Sequence, residues 1–215
     1  MNPFPLILSA PSGGGKTTIA RRLLETRTDV GYSISCTTRA PRAGEADGRD
    51  YFFLTKEEFR ARRERGEFAE CAEVHGHWYG TLHSEMRRVL ADRKHVIMDI
   101  DVQGAAQLAR AFPQAVLVFV LPPSVDVLLE RLRARKTENR SSLARRMMNA
   151  LEELEHAESY QYVVVNDVLD RAVARVSAVI DAETSRRERV HDLEAQVQSL
   201  IGRLQKEVDN HSANE

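Results

Sequence analysis

The chain has 215 residues, 42% of them hydrophobic and 29% charged, with a formal net charge of −1. That is long enough for one full core, and the near-neutral balance gives no electrostatic case for nucleic acid or a membrane as main partner. Two cysteines, Cys36 and Cys71, are too few and too far apart for a disulfide framework or metal cluster, and read as small buried hydrophobes in a reducing compartment.

In chain order, residues 4–9 read as a buried strand and 17–26 as the helix behind it. The stretch 33–85 differs: "YSISCTT", "DYFFL" and "FAECAEV" look like short strands separated by polar, Gly-containing loops. Between them "KEEFRARRER" is helical, opened by a Thr55/Glu58 capping box and closed by Gly66. The apolar runs "HVIMDID" and "AVLVFVLPP" each follow a helical segment, and "YQYVVVND" follows Arg-rich helices over 125–158. Continuous apolar runs alternating with helices predict a parallel sheet covered on both faces. The expected architecture is a three-layer α/β core, 1–32 with 86–190, carrying a small mixed α/β insertion at 33–85. No run approaches membrane-spanning length, and the N-terminus lacks a signal peptide's basic region and apolar core, so a cytoplasmic location is expected.

The junction "LILSAPSGGGKTT" carries the first chemistry. A strand, a Gly-rich loop, then Lys and Thr opening a helix is the P-loop arrangement, with Ala10 in the first glycine's place. Backbone N–H groups of residues 12–17 would wrap a β-phosphate at a helix N-terminus, where the dipole favours anions. Lys16 would reach the β/γ-phosphates, and the Thr17 hydroxyl would ligate Mg²⁺. Ala10, Pro11, Ser12, Gly13, Gly14, Gly15, Lys16, Thr17 and Thr18 form the expected ATP-binding stretch. A Gly-rich turn that merely joins strand to helix has no need of those last residues in that order.

A P-loop does not name the acceptor. In "SCTTRAPRAGEADGRDY", residues 35–51, Arg39 and Arg42 flank Pro41, and Tyr51 follows a Gly/Asp loop. Two guanidiniums and a phenol can clamp a phosphate monoester. This segment resembles the guanylate kinase signature at essentially every position. The resemblance continues through "GEFAECAEVHGHWYGT", "IMDIDVQG", "ERLRARKTENRSSLARRM" and "VVVND". It implies a P-loop kinase core with an Arg-rich lid over about 124–146, transferring the γ-phosphoryl of ATP to GMP or dGMP with Mg²⁺.

By resemblance, Ser35, Arg39, Arg42, Tyr51, Glu70, Tyr79, Thr81 and Asp101 form the GMP site. Guanine offers two adjacent donors, N1–H and the 2-amino group, which one carboxylate can accept together; Glu70 looks like that carboxylate, with the Ser35 and Thr81 hydroxyls near the base's polar edge. In "IMDID", Asp99 and Asp101 end an apolar strand, where ligand sites sit in open parallel sheets. Asp99 is assigned to the Mg²⁺ water shell and Asp101 to the GMP side. Arg131, Arg135 and Arg146 match the family's lid arginines, whereas Arg133, Arg140 and Arg145 read as a solvated face. With Lys16 and Arg39, the lid arginines make the expected catalytic set. Lys136 stands where many relatives have Gly. Asn166 and Asp167 match a turn beside the adenine. His75 and His77 lack a third ligand and are not read as a metal site.

Two other readings are weaker. A related kinase acting on a ribose bisphosphate would not need the Ser35, Glu70 and Tyr79 set, and a non-catalytic protein-binding domain would not need the lysine of "GGGKT". After Arg189, Val190, Leu193, Val197, Leu200 and Leu204 recur at spacings of three and four. That predicts an amphipathic helix over 191–215, packing on its own core or on another copy to make a homo-oligomer.

Overall fold

A computed structural model describes residues 2–74, 76–134 and 140–212. Five strands form one parallel sheet in the order β2-β7-β1-β8-β9. They are β1 (Pro5–Ser9), β2 (Val30–Tyr32), β7 (His95–Asp99), β8 (Val116–Leu121) and β9 (Tyr162–Val165). All of β1 is buried because both faces are covered. Leu6 and Leu8 face Ile19, Ala20 and Leu23 of α1 (Lys16–Thr26) and Val173, Val176 and Ile180 of α7 (Leu169–Thr184). Ile7 points the other way, onto Met86 and Val89 of α3 (His83–Ala91) and Ala105 and Leu108 of α4 (Val102–Ala111). The period-two alternation of a strand thus supplies both interfaces of the three-layer core.

A second sheet runs β4-β3-β6-β5. It comprises β3 (Cys36–Thr37), β4 (Phe52–Phe53), β5 (Phe68–Val74) and β6 (His77–Leu82), with α2 (Lys56–Glu64) against it. Phe59 of α2 stacks on Phe68 at 4.4 Å, and Cys36 and Leu82 complete a small separate core. The capping box forms as expected: the Thr55 hydroxyl accepts from the Glu58 N–H, and Glu58 accepts from the Thr55 N–H. The segment 32–38 divides between the sheets, Tyr32 ending β2 and Cys36 opening β3.

Helices α5 (Val125–Arg133) and α6 (Arg140–Glu155) pack together through Leu128, Leu132 and Ala150. The last helix, α8 (Leu193–Ser212), buries no residue. Packing on its own core, one of the two expectations for this helix, is therefore not what the fold does.

Candidate active site

Everything of chemical interest gathers beyond the carboxyl ends of β1 and β7, neighbours in register with Leu8 opposite Asp99. The P-loop leaves β1 there. Gly13 and Gly15 take φ of +86° and +95°, a left-handed backbone that glycine adopts without Cβ strain. A Cβ on Gly15 would also meet the Asn166 amide nitrogen at 2.4 Å. That nitrogen donates to the Gly14 carbonyl at 2.9 Å, and Arg131 reaches both the Gly14 and Asn166 carbonyls. Two side chains thus hold the loop's Gly14 carbonyl, while the Gly14 N–H donates to the Pro11 carbonyl at 2.7 Å and closes the turn on itself.

Pro11, Gly13–Lys16, Thr17 and Thr18 line a cavity of 450 Å³ together with Arg131, Asn166 and Asp167. A second cavity, of 180 Å³, is lined by Ser35, Arg42, Tyr51, Glu70, Tyr79, Asp99, Asp101 and Ser12, among others. Lys16 and Thr17 line both. Between them lies Asp99, which accepts from the Thr17 hydroxyl and from the Tyr32 hydroxyl. Burial and then the neighbouring Asp99 push the Tyr32 phenol well up, so it remains a donor. Sequence reasoning missed Tyr32, because a tyrosine at a strand end carries no signal of what lies across the sheet.

Glu70 is 4% exposed. Its Oε1 accepts from the Thr81 hydroxyl at 2.8 Å, while Oε2 is buried without a partner among the described residues. Burial foremost, then the Asp101 charge, pushes the carboxyl up to about 7 against the pull of Thr81. An orphaned buried acceptor is costly to leave unmet. A ligand with an N–H at that point would meet it.

Several expected site residues stand differently in this structure. Thr81 does not line the second cavity; its hydroxyl is behind Glu70, holding the carboxylate. Arg39 lies outside the cavity lining too: its guanidinium makes a two-pronged pair with Glu45, at 2.9 and 3.0 Å, beneath the Tyr51 ring. Glu45 also accepts from the Arg42 N–H. Ala10 is buried in the core and lines neither of these two cavities. Asp101 spends Oδ1 as the cap of α4, accepting from the Gln103 and Gly104 N–H groups, yet still lines the second cavity.

Arg146, 8% exposed, donates to the Leu132 carbonyl and reaches the Ser12 hydroxyl, and lines neither of the two cavities described above. Asp167 accepts from the Val168 N–H and pairs with Arg171 at 2.7 Å. Arg135 and Lys136 lie outside the described residues, as does His75. Glu153, unremarked in the sequence, accepts from the Ser12 N–H at 2.7 Å and lines the second cavity. Burial raises its carboxyl, and Lys16 opposes that.

This geometry agrees with what the chain is similar to. The family model for guanylate kinase matches residues 2–183. The chain belongs to the guanylate kinase family. It is 50% identical over 186 residues to the guanylate kinase of Myxococcus xanthus, covering 86% of this chain and 89% of that one. The guanylate kinase of Caldanaerobacter subterraneus subsp. tengcongensis is 44% identical over 188 residues, 87% and 91% of the two chains. The crystal structure of guanylate kinase from Anaplasma phagocytophilum superposes with a TM-score of 0.76 at 33% identity, covering 92% and 94%. Family membership accounts for the P-loop and for the second sheet beside it. The fold puts the ends of both sheets around one crevice.

Proposed function

We propose that the larger cavity takes ATP and the smaller takes GMP or dGMP. The chain transfers the γ-phosphoryl of ATP to GMP, giving ADP and GDP. The observation that carries the site assignment is the shared wall: Lys16 and Thr17 line both cavities. A phosphate oxygen of GMP can then attack the γ-phosphorus as its bond to the β–γ bridging oxygen breaks, in line and without a covalent enzyme intermediate. Such a transfer asks the protein mainly for positioning and for charge to meet the phosphoryl oxygens.

Lys16 would supply that charge on the donor side, with Arg131 behind the loop. Arg42 with Tyr51 and Tyr79 would hold the GMP phosphate. Arg39 joins them only by releasing Glu45. The unpartnered Glu70 Oε2 would accept from the guanine N1–H or 2-amino group, whereas adenine offers an acceptor at N1 and would be repelled. Thr17 and Asp99 fit a Mg²⁺ site, since that ion takes few protein oxygens and keeps water and phosphate ligands. Bound there, with Thr17 as ligand and Asp99 through its water shell, Mg²⁺ would neutralise charge on the β- and γ-phosphate oxygens.

Among the described residues no helix is long and apolar enough to cross a membrane; a cytoplasmic location belongs to this proposal. So does self-association through α8, whose Leu200, Ile201, Leu204 and Val208 are all more than half exposed.

A coupled ADP-release assay with GMP, dGMP, AMP and ribose bisphosphate tests the assignment. GMP and dGMP should support turnover and the others should not. Lys16→Met should lower turnover by at least about a hundredfold, the scale of losing one electrostatic transition-state donor. A near-normal rate from folded Lys16→Met protein would remove the P-loop from the mechanism.

A further inference from the structure

Gly104 lies in the first turn of α4 and is buried. A glycine there costs a helix roughly 0.5–1 kcal/mol relative to alanine, so its presence needs a reason. A Cβ built on Gly104 would stand 2.5 Å from Glu70 Oε2 and 3.1 Å from its Cδ. Oε2 is the buried acceptor without a partner, while Oε1 is held by Thr81. The oxygen that awaits a donor is therefore the one that a side chain on Gly104 would displace.

Glu70 cannot easily be moved aside as a unit with its strand. One turn further along α4, the Gln107 amide accepts from the Cys71 N–H at 3.2 Å and donates to the Cys71 carbonyl at 2.9 Å. That two-way clamp fixes the residue after Glu70 against the same helix. Helix α4 thus sets the carboxylate's position twice, by gripping the β5 backbone and by leaving room for Oε2.

We infer that Gly104 is a specificity-determining position, its missing side chain fixing where the free oxygen of Glu70 meets a purine that carries a 2-amino group. The inference rests on Glu70 being the base reader. It acts through Glu70, so Gly104 is a positioning residue and touches no reacting atom.

Steady-state kinetics with GMP and with IMP, whose base lacks the 2-amino group, test it. Gly104→Ala should lower kcat/KM for GMP at least about tenfold and the GMP-over-IMP ratio with it. The KM for ATP should hold. An unchanged ratio, or an equal rise in the KM for ATP, would overturn the inference.

The Glu70→Ala background removes the group that Gly104 accommodates. There Gly104→Ala should change the ratio no further, since residues acting through one contact are coupled rather than additive. A further loss in that background also counts against the inference. Should Gly104→Ala alone not fold, the double variant should fold, because its Cβ no longer meets a carboxylate; a double variant that also fails to fold overturns the steric argument. If Glu70→Ala by itself leaves the ratio unchanged, the base-reader assignment has failed and the inference falls with it. If Glu70→Ala lowers the ratio and Gly104→Ala does not, only the inference fails.

Discussion

Glu70 is under two opposing demands. In the proposed assignment guanine recognition needs an ionised acceptor in a dry pocket, and burial in that pocket raises the carboxyl to about 7. The native state therefore binds its proton more tightly than the unfolded chain, where the reference value is 4.5. Its contribution to stability is fully present below that unfolded value and is lost as pH rises through the native one. Glu70→Gln removes this pH-dependent loss. The ligand-free variant should gain melting temperature over the parent at pH 8, by roughly 5 °C, and much less at pH 5. The same substitution replaces an acceptor with a donor, so discrimination of GMP from AMP should fall, and GMP binding by the parent should weaken below pH 7. Equal melting curves at both pH values would mean that the carboxyl is not burdened by burial. If Glu70 reads the base as proposed, binding and stability oppose each other at the same atom.

At the scale of elements, the main sheet was readable at β1, β7 and β8 because those strands are buried on both faces. "PLILS", "HVIMD" and "VLVFVL" have no polar alternation to confuse with a helix, and each joins helical segments. The second sheet was less legible. In β6, "HWYGTL", three partly buried residues precede three buried ones, so no clean period marks it as a strand. The site divides in the same way. Lys16 and Thr17 could be proposed from motif order, and Glu70 from the resemblance alone. Glu45 against Arg39, Tyr32 on Asp99 and Glu153 on Ser12 could not, since each contact depends on tertiary approach across 6 to 141 residues. The last of these makes α6 an anchor for the P-loop: Glu153 takes the Ser12 N–H while Arg146 reaches its hydroxyl. Glu153→Ala leaves that N–H without its acceptor, a loss of about 1–3 kcal/mol where the group stays dry. Turnover should fall about tenfold or more, with a smaller change in the KM for GMP. Rescue by Glu153→Gln, which keeps an acceptor oxygen, would assign the effect to the hydrogen bond. An effect confined to the KM for GMP would instead make Glu153 part of the acceptor pocket alone.

For the whole molecule, α8 is the element left without a packing partner among the described residues. The helix contributes no buried residue, although Val197, Leu200, Ile201, Leu204 and Val208 form an apolar stripe along it. A lone helix of 20 residues is marginal in water unless its stripe is packed. The flanks carry both signs, Glu194, Arg203, Lys206, Glu207 and Asp209, so a second copy of the helix meets no single-sign repulsion. The body of the protein does not need it. The chain before α8 is closed by Arg189, which stacks over Phe4 and donates to the Gln114 carbonyl and Glu183, while its own carbonyl accepts from the Asn2 N–H. Truncation after Arg189 keeps all of these contacts and every site residue. Light scattering of the full chain should give a multiple of the 24.3 kDa protomer mass, and the truncated chain a lower multiple. Most phosphotransfer activity should survive, because both cavities draw their walls from residues no later than Leu169. Concentration should shift the melting temperature of the full chain and not of the truncated one, since association stabilises by mass action. A full chain that scatters as a monomer, or a truncated chain that keeps the full oligomeric mass, would rule out α8 as the contact between copies.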